Sequence, residues 1–459
     1  MTPRTTPISQ LLTIFLVLVP TVYGLLPLNN IGFHDGSRVA QTILLAVIAM
    51  CTIKSLPIEG EKRFAGVLGL MGLIACLSAI YSADRPAAFK EMSLVFGCIG
   101  VSIAVGRARF HDCSQWLARA SALAMLLYGG LLLSIAALSR INKVPLYMEQ
   151  LFVGYDNYRF FNHAQTVALP LAAIALMDKT KLFAAAAWLS LAIGFSLMAY
   201  SVARGSIVGL LVGIVFVFLV TGRPALPFLI RFVASAICGA LLSTVIADPA
   251  IPTEREFGAT GSVQARYYLW ELAISYVREA PWVGIGPMHF AHRVNSEAAH
   301  PHNVYLQIAA EFGVPMLLLV LAMVAYGVYS MIVRMINNSD PTEVFAGCGL
   351  LIACIAALTD GFFSGNFVMP VSQVWIAAMA GMAISWTRDR TRMEPAHPTV
   401  TKASLIRHWV FITILLTSQI FLVYTTAKEL LQLDFLLNAA DNKTLARGSS
   451  PRFWSNGWF

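Results

Sequence analysis

Residues 264–313 read QARYYLWELAISYVREAPWVGIGPMHFAHRVNSEAAHPHNVYLQIAAEFG, and the rest of the chain is organised around them. This stretch is rich in His, Arg and other polar residues, yet long apolar runs precede and follow it. Because ionisable groups are costly to hold in hydrocarbon, the stretch is expected to lie in water or in a wet cavity. The runs on either side are expected to cross a membrane, so we look for function between them.

The composition of the 459-residue chain also indicates a membrane protein. Hydrophobic residues make up 58% of it and charged residues only 12%, which is outside the soluble globular range. A membrane-spanning helix needs about 20 mostly apolar residues, and apolar runs recur along the whole chain. We predict an all-α polytopic membrane protein with about 12–13 transmembrane helices. The predicted spans are 8–26, 38–53, 64–81, 92–105, 116–138, 164–177, 182–200, 206–220, 228–247, 303–334, 344–362, 371–386 and 409–427.

These spans divide the chain into four regions. N-terminal transmembrane helices occupy 1–247, a loop region with helices occupies 248–302, C-terminal transmembrane helices occupy 303–430, and a tail covers 431–459. Within the loop region, Val263–Val277 has helical character and places Arg266 and Trp270 on one face. A break at Ala280–Pro281 and a tight turn around 284–287 follow.

The formal net charge of +8 is spread over short loops rather than gathered on one basic element. This pattern is typical of positive charge that orients a membrane protein, and it predicts no nucleic-acid partner. With the N-terminus inside, the tail and residues 248–302 fall on the outer side. Arg159 and Arg204 lie at the outer ends of spans, where the positive-inside rule disfavours Arg. Each either reaches the headgroups or pairs with a carboxylate, or the two converge on an anionic ligand.

The polar start of the tenth span, HPHN at 300–303, holds the main candidate for acid–base chemistry. Pro301 suits the first turn of a helix, which would place His302 at the N-terminus, where the helix dipole disfavours a protonated imidazole. A neutral His302 could accept a proton. Tyr305 shares its face one turn later, and Asn303 and Gln307 form a polar pair. The alternative is an interfacial cap of His and Asn satisfied by water.

Other kinds of site are poorly supported by the sequence. Four His residues lie close together at 289, 292, 300 and 302, but their spacing matches no ligand pattern and no Cys is near, so no metal site is predicted. No GxSxG motif is present for nucleophilic catalysis.

Outer-face Arg residues, one His and a wet cavity bordering lipid suit an anionic, lipid-linked phosphate or diphosphate donor. Arg forks would bind its oxygens and stabilise the leaving diphosphate without a divalent metal, and His302 would deprotonate an incoming hydroxyl. An anion transporter, with Arg and His lining a path, is the alternative from another class. It would be expected to show inverted repeats with paired broken helices, and no clear repeat is evident.

The segments RYYLWELAISYVREAPWVGIGPMHF and HPHNVYLQIAAEFG resemble the O-antigen ligase/O-antigen polymerase superfamily, as do RFFNHAQTVALPLA and SVARGSIVGLL upstream. The resemblance covers roughly 159–313. It implies a GT-C type, inverting glycosyltransferase architecture that acts in the periplasm on undecaprenyl-diphosphate-linked glycans, with no cofactor. Carried over by motif, His302 is the catalytic residue and Arg204 and Arg266 bind the diphosphate. The remaining site candidates are Arg159 for donor binding, with Asn162, His163, His300, Asn303, Tyr305 and Gln307 in support.

Among the superfamily members, we favour an O-antigen ligase. One outer loop of moderate length carries the HPHN motif, and we expect no large C-terminal soluble domain of the kind that protein-glycosylating members often append. The expected donor is O-antigen on undecaprenyl diphosphate and the expected acceptor is a sugar hydroxyl of lipid A-core oligosaccharide. The protein would then be a multi-pass protein of the bacterial inner membrane, surrounded by membrane lipids, with its active site facing the periplasm. A protein O-oligosaccharyltransferase and an O-antigen polymerase are the alternatives within the superfamily.

Overall fold

The computed structural model describes residues 7–25, 32–53, 62–246, 260–388, 402–439, 452–455 and 457. All regular secondary structure in these ranges is helical, which confirms the predicted fold class. Residues 248–259 of the predicted loop region and 440–451 of the predicted tail lie outside the described residues.

Sixteen α-helices and two short 3₁₀ helices, Ala175–Met177 and Arg223–Ala225, make up the described parts. The α-helices are α1 (Pro7–Leu25), α2 (Phe33–Thr52), α3 (Lys62–Tyr81), α4 (Arg85–Gly106), α5 (Phe110–Asn142), α6 (Met148–Leu151), α7 (Tyr158–Ile174), α8 (Lys181–Tyr200), α9 (Arg204–Thr221), α10 (Leu226–Ile246), α11 (Thr260–Glu279), α12 (Val304–Phe312), α13 (Val314–Ile336), α14 (Pro341–Asp360), α15 (Pro370–Arg388) and α16 (Lys402–Ala439).

Twelve of the thirteen predicted spans each overlap one α-helix, and 303–334 overlaps two. The helices over 38–53 and 371–386, α2 and α15, are not among the candidate membrane spans. By length and composition, nine helices within the described ranges are able to cross a membrane, and two shorter apolar helices, Pro7–Val22 and Gly66–Tyr81, accompany them. The most deeply buried of the nine is α7, which packs against α5, α8, α14 and α15. It therefore forms the centre of the bundle.

The predicted span 303–334 is wrong as a single helix. It is divided at Gly313, whose φ of 87° ends α12 and begins α13. A Cβ at Gly313 would lie 2.4 Å from the carbonyl oxygen of Trp282, so the close approach of the loop also requires glycine here. The nine residues of α12 span only about 14 Å and cannot cross a bilayer core of about 30 Å.

Residues 260–312, here called the cap, have a small hydrophobic core of their own. Leu269, Tyr276, Phe290 and Ala310 are among its buried members, separate from the main core of the bundle. The cap therefore packs as a unit on one end of the bundle, and α11, the following loop and α12 hold one another in place.

Helix α9 packs directly on α14 through glycines at every fourth position. Gly205, Gly209 and Gly213 face α14, and a Cβ at Gly209 would lie 2.6 Å from the carbonyl oxygen of Ala356. Small residues at this spacing let two membrane helices approach until their backbones touch. The N-terminus of α9 is thereby fixed beside Asp360 at the end of α14.

Candidate active site

His302 lies in the cap, just before α12, and its backbone adopts the left-handed region with φ 51°. The expectation that Pro301 and His302 form the first turn of the helix is wrong, because α12 begins at Val304. Asn303 is the N-cap, and its side-chain oxygen accepts hydrogen bonds from the backbone N–H groups of Tyr305 (3.1 Å) and Leu306 (3.0 Å). These N–H groups are therefore already satisfied, while His302 projects from a strained turn.

The start of α12 is attached to the end of α14. The backbone N–H of Val304 donates to the carbonyl of Gly361 (2.9 Å), and the hydroxyl of Tyr305 donates to the carbonyl of Leu358 (2.8 Å). The ring of Tyr305 also lies 4.2 Å from that of Phe362, centre to centre. Tyr305, predicted as a supporting residue, thus anchors α12.

Three further contacts place the other predicted cap residues. The indole N–H of Trp270 donates to the carbonyl of Pro301 (3.1 Å), which ties α11 to the turn that carries His302. His300 is buried, with its ring centre 4.2 Å from that of His302. The predicted pairing of the Asn303 and Gln307 side chains is wrong, because the amide of Gln307 donates instead to Glu311 (3.4 Å).

Arg204 is the first residue of α9 and is half-buried. Two residues earlier, Val202 has φ 48°, which is rare for a β-branched residue. The strained turn between α8 and α9 sets the direction in which α9 leaves, and the glycine contacts with α14 hold its N-terminus in place. Local backbone strain of this kind clusters at functional sites.

Asn162 and His163 lie on α7 behind this turn, and both are buried. The side-chain oxygen of Asn162 accepts a hydrogen bond from the hydroxyl of Ser201 (3.0 Å), so Asn162 supports the α8–α9 turn. The Nδ1 atom of His163 lies 3.4 Å from the carboxylate of Asp360. Arg159, one helical turn before His163, is exposed.

Asp360 is a site residue that the sequence analysis missed. It is 1% exposed, ends α14, and contacts His163, Thr166 (3.5 Å) and the α9 N-terminus at Gly205. The sequence does contain a signal for Asp360, because it is a carboxylate at the end of an apolar run. Burying a carboxylate in a membrane costs free energy, so such a residue is a candidate for function. Its charge also acts on Arg266, one of the candidate arginines.

The charges of several candidate residues shift one another's pKa. Burial lowers the pKa of Arg266, and the nearby charges of Arg159 and Arg204 lower it further, while Asp360 opposes them. Burial likewise lowers the pKa of His302 to about 3, with contributions from Arg266, His163 and Arg159. Residues from α7, α9, α11 and the turn before α12 thus come close enough to influence one another's protonation. His302 is neutral at physiological pH.

The other two His residues of the cap have structural contacts. The Nε2 atom of His289 accepts a hydrogen bond from the backbone N–H of Asp84 (2.8 Å), and its Nδ1 atom lies 2.8 Å from the carbonyl oxygen of Pro287. The ring of His292 lies 5.2 Å from that of His289. In the described parts of the chain, no group of three or more His, Cys, Asp or Glu side chains is arranged to hold a metal ion.

The fold and the candidate residues together define a multi-pass helical membrane protein with a group of cationic side chains at one end of its bundle. Residues 189–321 match the model of a family described as O-antigen ligase. This match confirms the resemblance seen in the sequence and supports membership of the O-antigen ligase/polymerase superfamily.

The matched range includes Arg204, Arg266 and His302, whereas Arg159, Asn162, His163 and Asp360 lie outside it. The family suggests a glycosyltransferase-like enzyme with polysaccharide or lipid-linked substrates. Comparison with curated proteins gave no match.

Proposed function

We propose that this protein is an inverting O-antigen ligase of the bacterial inner membrane. It would transfer O-antigen polysaccharide from undecaprenyl diphosphate to a sugar hydroxyl of lipid A-core oligosaccharide at the periplasmic face. The observation that carries the proposal is that Arg159 and Arg204 lower the pKa of Arg266, while Arg266 and Arg159 lower that of His302. These side chains, from four separate segments, therefore lie near one another. The family match over residues 189–321 supports the same chemistry.

In this proposal the three arginines bind the donor and stabilise its leaving group. Arg204, Arg266 and Arg159 face the diphosphate, whose charge increases as the bond to the anomeric carbon breaks. Guanidinium forks suit phosphate oxygens because they donate two parallel hydrogen bonds. They supply the charge stabilisation that a divalent metal provides in other transferases, so the proposed reaction is metal-independent.

His302 takes the role of general base. The acceptor hydroxyl attacks the anomeric carbon from the side opposite the diphosphate, which inverts the configuration, and its proton passes to the imidazole. A pKa of about 3 keeps the ring unprotonated and able to accept a hydrogen bond from the hydroxyl. Asp360 offsets part of the positive charge and holds His163 and the α9 N-terminus in place.

The proposal extends to the regions of the chain. Transmembrane helices in 1–247 and 303–430, other than α12, would form the scaffold. Residues 248–302 would lie in the periplasm together with α12, and 431–459 would be a tail on the same side. The basic loops between spans support this orientation.

The lipopolysaccharide banding pattern tests the function. Expressed in cells that lack their ligase, this chain should restore long ladders attached to lipid A-core. A His302→Asn variant should not restore them, although Asn tolerates the left-handed backbone at this position. His292→Ala, in the same loop, is the matched control and should restore ladders fully.

The same experiment distinguishes the alternatives. Longer glycan chains that stay on undecaprenyl diphosphate would indicate a polymerase, and glycan on protein would indicate a protein O-oligosaccharyltransferase. Anion uptake by proteoliposomes without any transfer in detergent would indicate a transporter. Ladders restored by His302→Asn would remove His302 from the mechanism.

A further inference from the structure

The residues Arg452–Ser455, here called the C-terminal segment, pack into the body of the protein. Arg452 and Phe453 are each 1% exposed and Trp454 is 8% exposed. Their partners lie on α2, α4, α12 and α16, at the end of the bundle that also carries the cap. A segment well separated in sequence from the candidate site is therefore built into its surroundings.

Helix α2 binds the backbone of this segment. Arg38, which is itself buried, donates to the carbonyl oxygens of Arg452 (3.0 Å) and Phe453 (3.2 Å). Asp35 accepts hydrogen bonds from the backbone N–H of Ser455 (2.6 Å) and from its hydroxyl (2.8 Å). Contacts to successive backbone groups fix which residue of the segment occupies each position.

The aromatic side chains of the C-terminal segment also have defined partners. The indole N–H of Trp454 donates to Glu429 on α16 (2.6 Å), and the same carboxylate pairs with Lys90 on α4 (2.6 Å). The ammonium group of Lys90 also lies 4.1 Å from the ring centre of Phe453. These contacts hold the segment independently of Arg452.

Arg452 makes the contact that reaches the cap. Its Nη2 atom lies 2.7 Å from Glu311 on α12 and 3.2 Å from Glu91 on α4. Glu311 has no exposed surface, and a buried carboxylate without a cation is strongly destabilising. Burial raises the pKa of Glu311, and Arg452 opposes this shift.

Glu311 connects several parts of the cap. Its carboxylate accepts a hydrogen bond from the backbone N–H of Phe290 (3.2 Å), and its carbonyl accepts from Gly286 (3.1 Å) and from the hydroxyl of Ser78 on α3 (2.8 Å). It lies in the last turn of α12, and His302 lies just before the first turn of this nine-residue helix. Fixing Glu311 therefore fixes the short helix that His302 precedes.

We infer that Arg452 is a positioning residue: through Glu311 it sets the position of α12 and, with it, the placement of His302. The inference rests on the proposed function, because the consequence is read in glycan transfer. Since Gly313 separates α12 from the membrane helix α13, the orientation of α12 depends on such contacts. The C-terminal segment is then part of the working site although none of its residues touches substrate.

The test is steady-state transfer by purified full-length Arg452→Ala. We expect kcat to fall about 100-fold, the scale of loss from a small misplacement of a catalytic group. The KM for the donor should stay within about twofold of wild type, because the arginines that bind donor are unaffected. Guanidinium chloride at a non-denaturing concentration should restore part of kcat, and sodium chloride at the same concentration should not.

Trp454→Phe is the matched control, because it removes the hydrogen bond to Glu429 and leaves Glu311 paired. It should keep nearly the wild-type kcat. An equal loss in Trp454→Phe would show that the segment only anchors the fold, and would overturn the inference. A wild-type kcat in Arg452→Ala, or a loss confined to KM, would overturn it as well.

Hydrogen–deuterium exchange separates this inference from the proposed function. Amides of residues 304–312 should exchange faster in Arg452→Ala than in wild type or Trp454→Phe, whether or not the protein transfers glycan. Unchanged exchange in α12 would refute the positioning role even if the wild-type protein is an active ligase. Faster exchange in a protein without transfer activity would instead refute the proposed function alone.

Discussion

At the scale of single residues, the site depends on backbone conformations that most side chains avoid. Val202 and His302 both have positive φ, at a cost of order 1–3 kcal/mol each. One of the two strained turns precedes Arg204 and the other carries His302. Motif resemblance proposed Arg204 and His302 as site residues from the sequence. The strain could not be predicted, because it arises from tertiary contacts that hold each turn in place.

Transfer should be insensitive to mild acid. Arg266 on α11 and Arg159 and His163 on α7 face His302, whose pKa is lowered to about 3 mainly by burial. The active form is neutral and is lost only as the pH falls through that low value. We expect kcat to change less than about twofold between pH 7.5 and pH 5.5.

A pH–rate profile of the purified protein checks this expectation. An ordinary His, with a pKa of about 6.5, would lose roughly tenfold in rate at pH 5.5. A fall in rate at acid pH with an apparent pKa near 6.5 would contradict the expectation, and would show that His302 is less buried than the structure indicates.

Arg204→Lys should impair transfer although the charge is kept. An ammonium group acts as a point charge and cannot reproduce the paired hydrogen bonds of a guanidinium to phosphate oxygens. We expect kcat/KM to fall by roughly tenfold or more, corresponding to one lost charge-assisted hydrogen bond. Arg223→Lys, at the opposite end of α9, is the control, and equal activity of the two variants would favour a lipid-headgroup role for Arg204.

At the scale of helices, apolar runs predicted where the chain is helical but not where a helix is divided. Hydropathy averaged over a window merges α12 and α13 into one predicted span, because both helices are mostly apolar. The division depends on the approach of the Trp282 backbone to Gly313, a contact between segments that no local pattern records. In the same way, the contacts of Asp360 with His163 and Gly205 depend on the packing of α14 against α7 and α9.

The α9–α14 contact should be intolerant of a side chain at its centre. Gly209→Val would force the helices apart, because even a Cβ would lie 2.6 Å from a carbonyl oxygen of α14. We expect a loss of about 1–3 kcal/mol in stability, seen as a lower melting temperature, together with weaker donor binding as Arg204 moves.

Gly327→Ala on α13 is the control for this substitution. A Cβ at Gly327 meets nothing within 4 Å, and alanine is the better helix former. Its melting temperature should equal or exceed that of wild type. A Gly209→Val protein with wild-type melting and donor affinity would mean that α9 and α14 are not packed as described.

At the scale of the whole molecule, one end of the bundle gathers the cap, the cationic site and the C-terminal segment. The sequence predicted that these regions lie on one side, and the hydrogen bonds of Arg452 and Ser455 place the described tail residues there. That the segment packs inside the protein could not be predicted. Its partner Arg38 on α2 is 415 residues away from Phe453, and its partner Glu311 on α12 is 141 residues away from Arg452. Local periodicity carries no information about such distant pairs.

Cysteine labelling should reveal which side of the membrane this end faces. Val294 is an exposed residue of the cap, and Lys179 is an exposed residue at the opposite end of the bundle. In intact spheroplasts, a membrane-impermeant maleimide should modify Val294→Cys above the background of the seven native cysteines and should not modify Lys179→Cys. Labelling of Lys179→Cys alone would reverse the proposed orientation.

The pairing of Arg452 with Glu311 also sets the order in which the protein matures. The two residues are 141 positions apart, so at roughly 5–20 residues per second the ribosome makes Glu311 about 7 to 28 seconds before its partner. Through that interval every helix from α13 to α16 can enter the bilayer while α12 still lacks its cation. On the proposed role of Arg452, the placement of His302 is therefore completed only after the last membrane helix has been made.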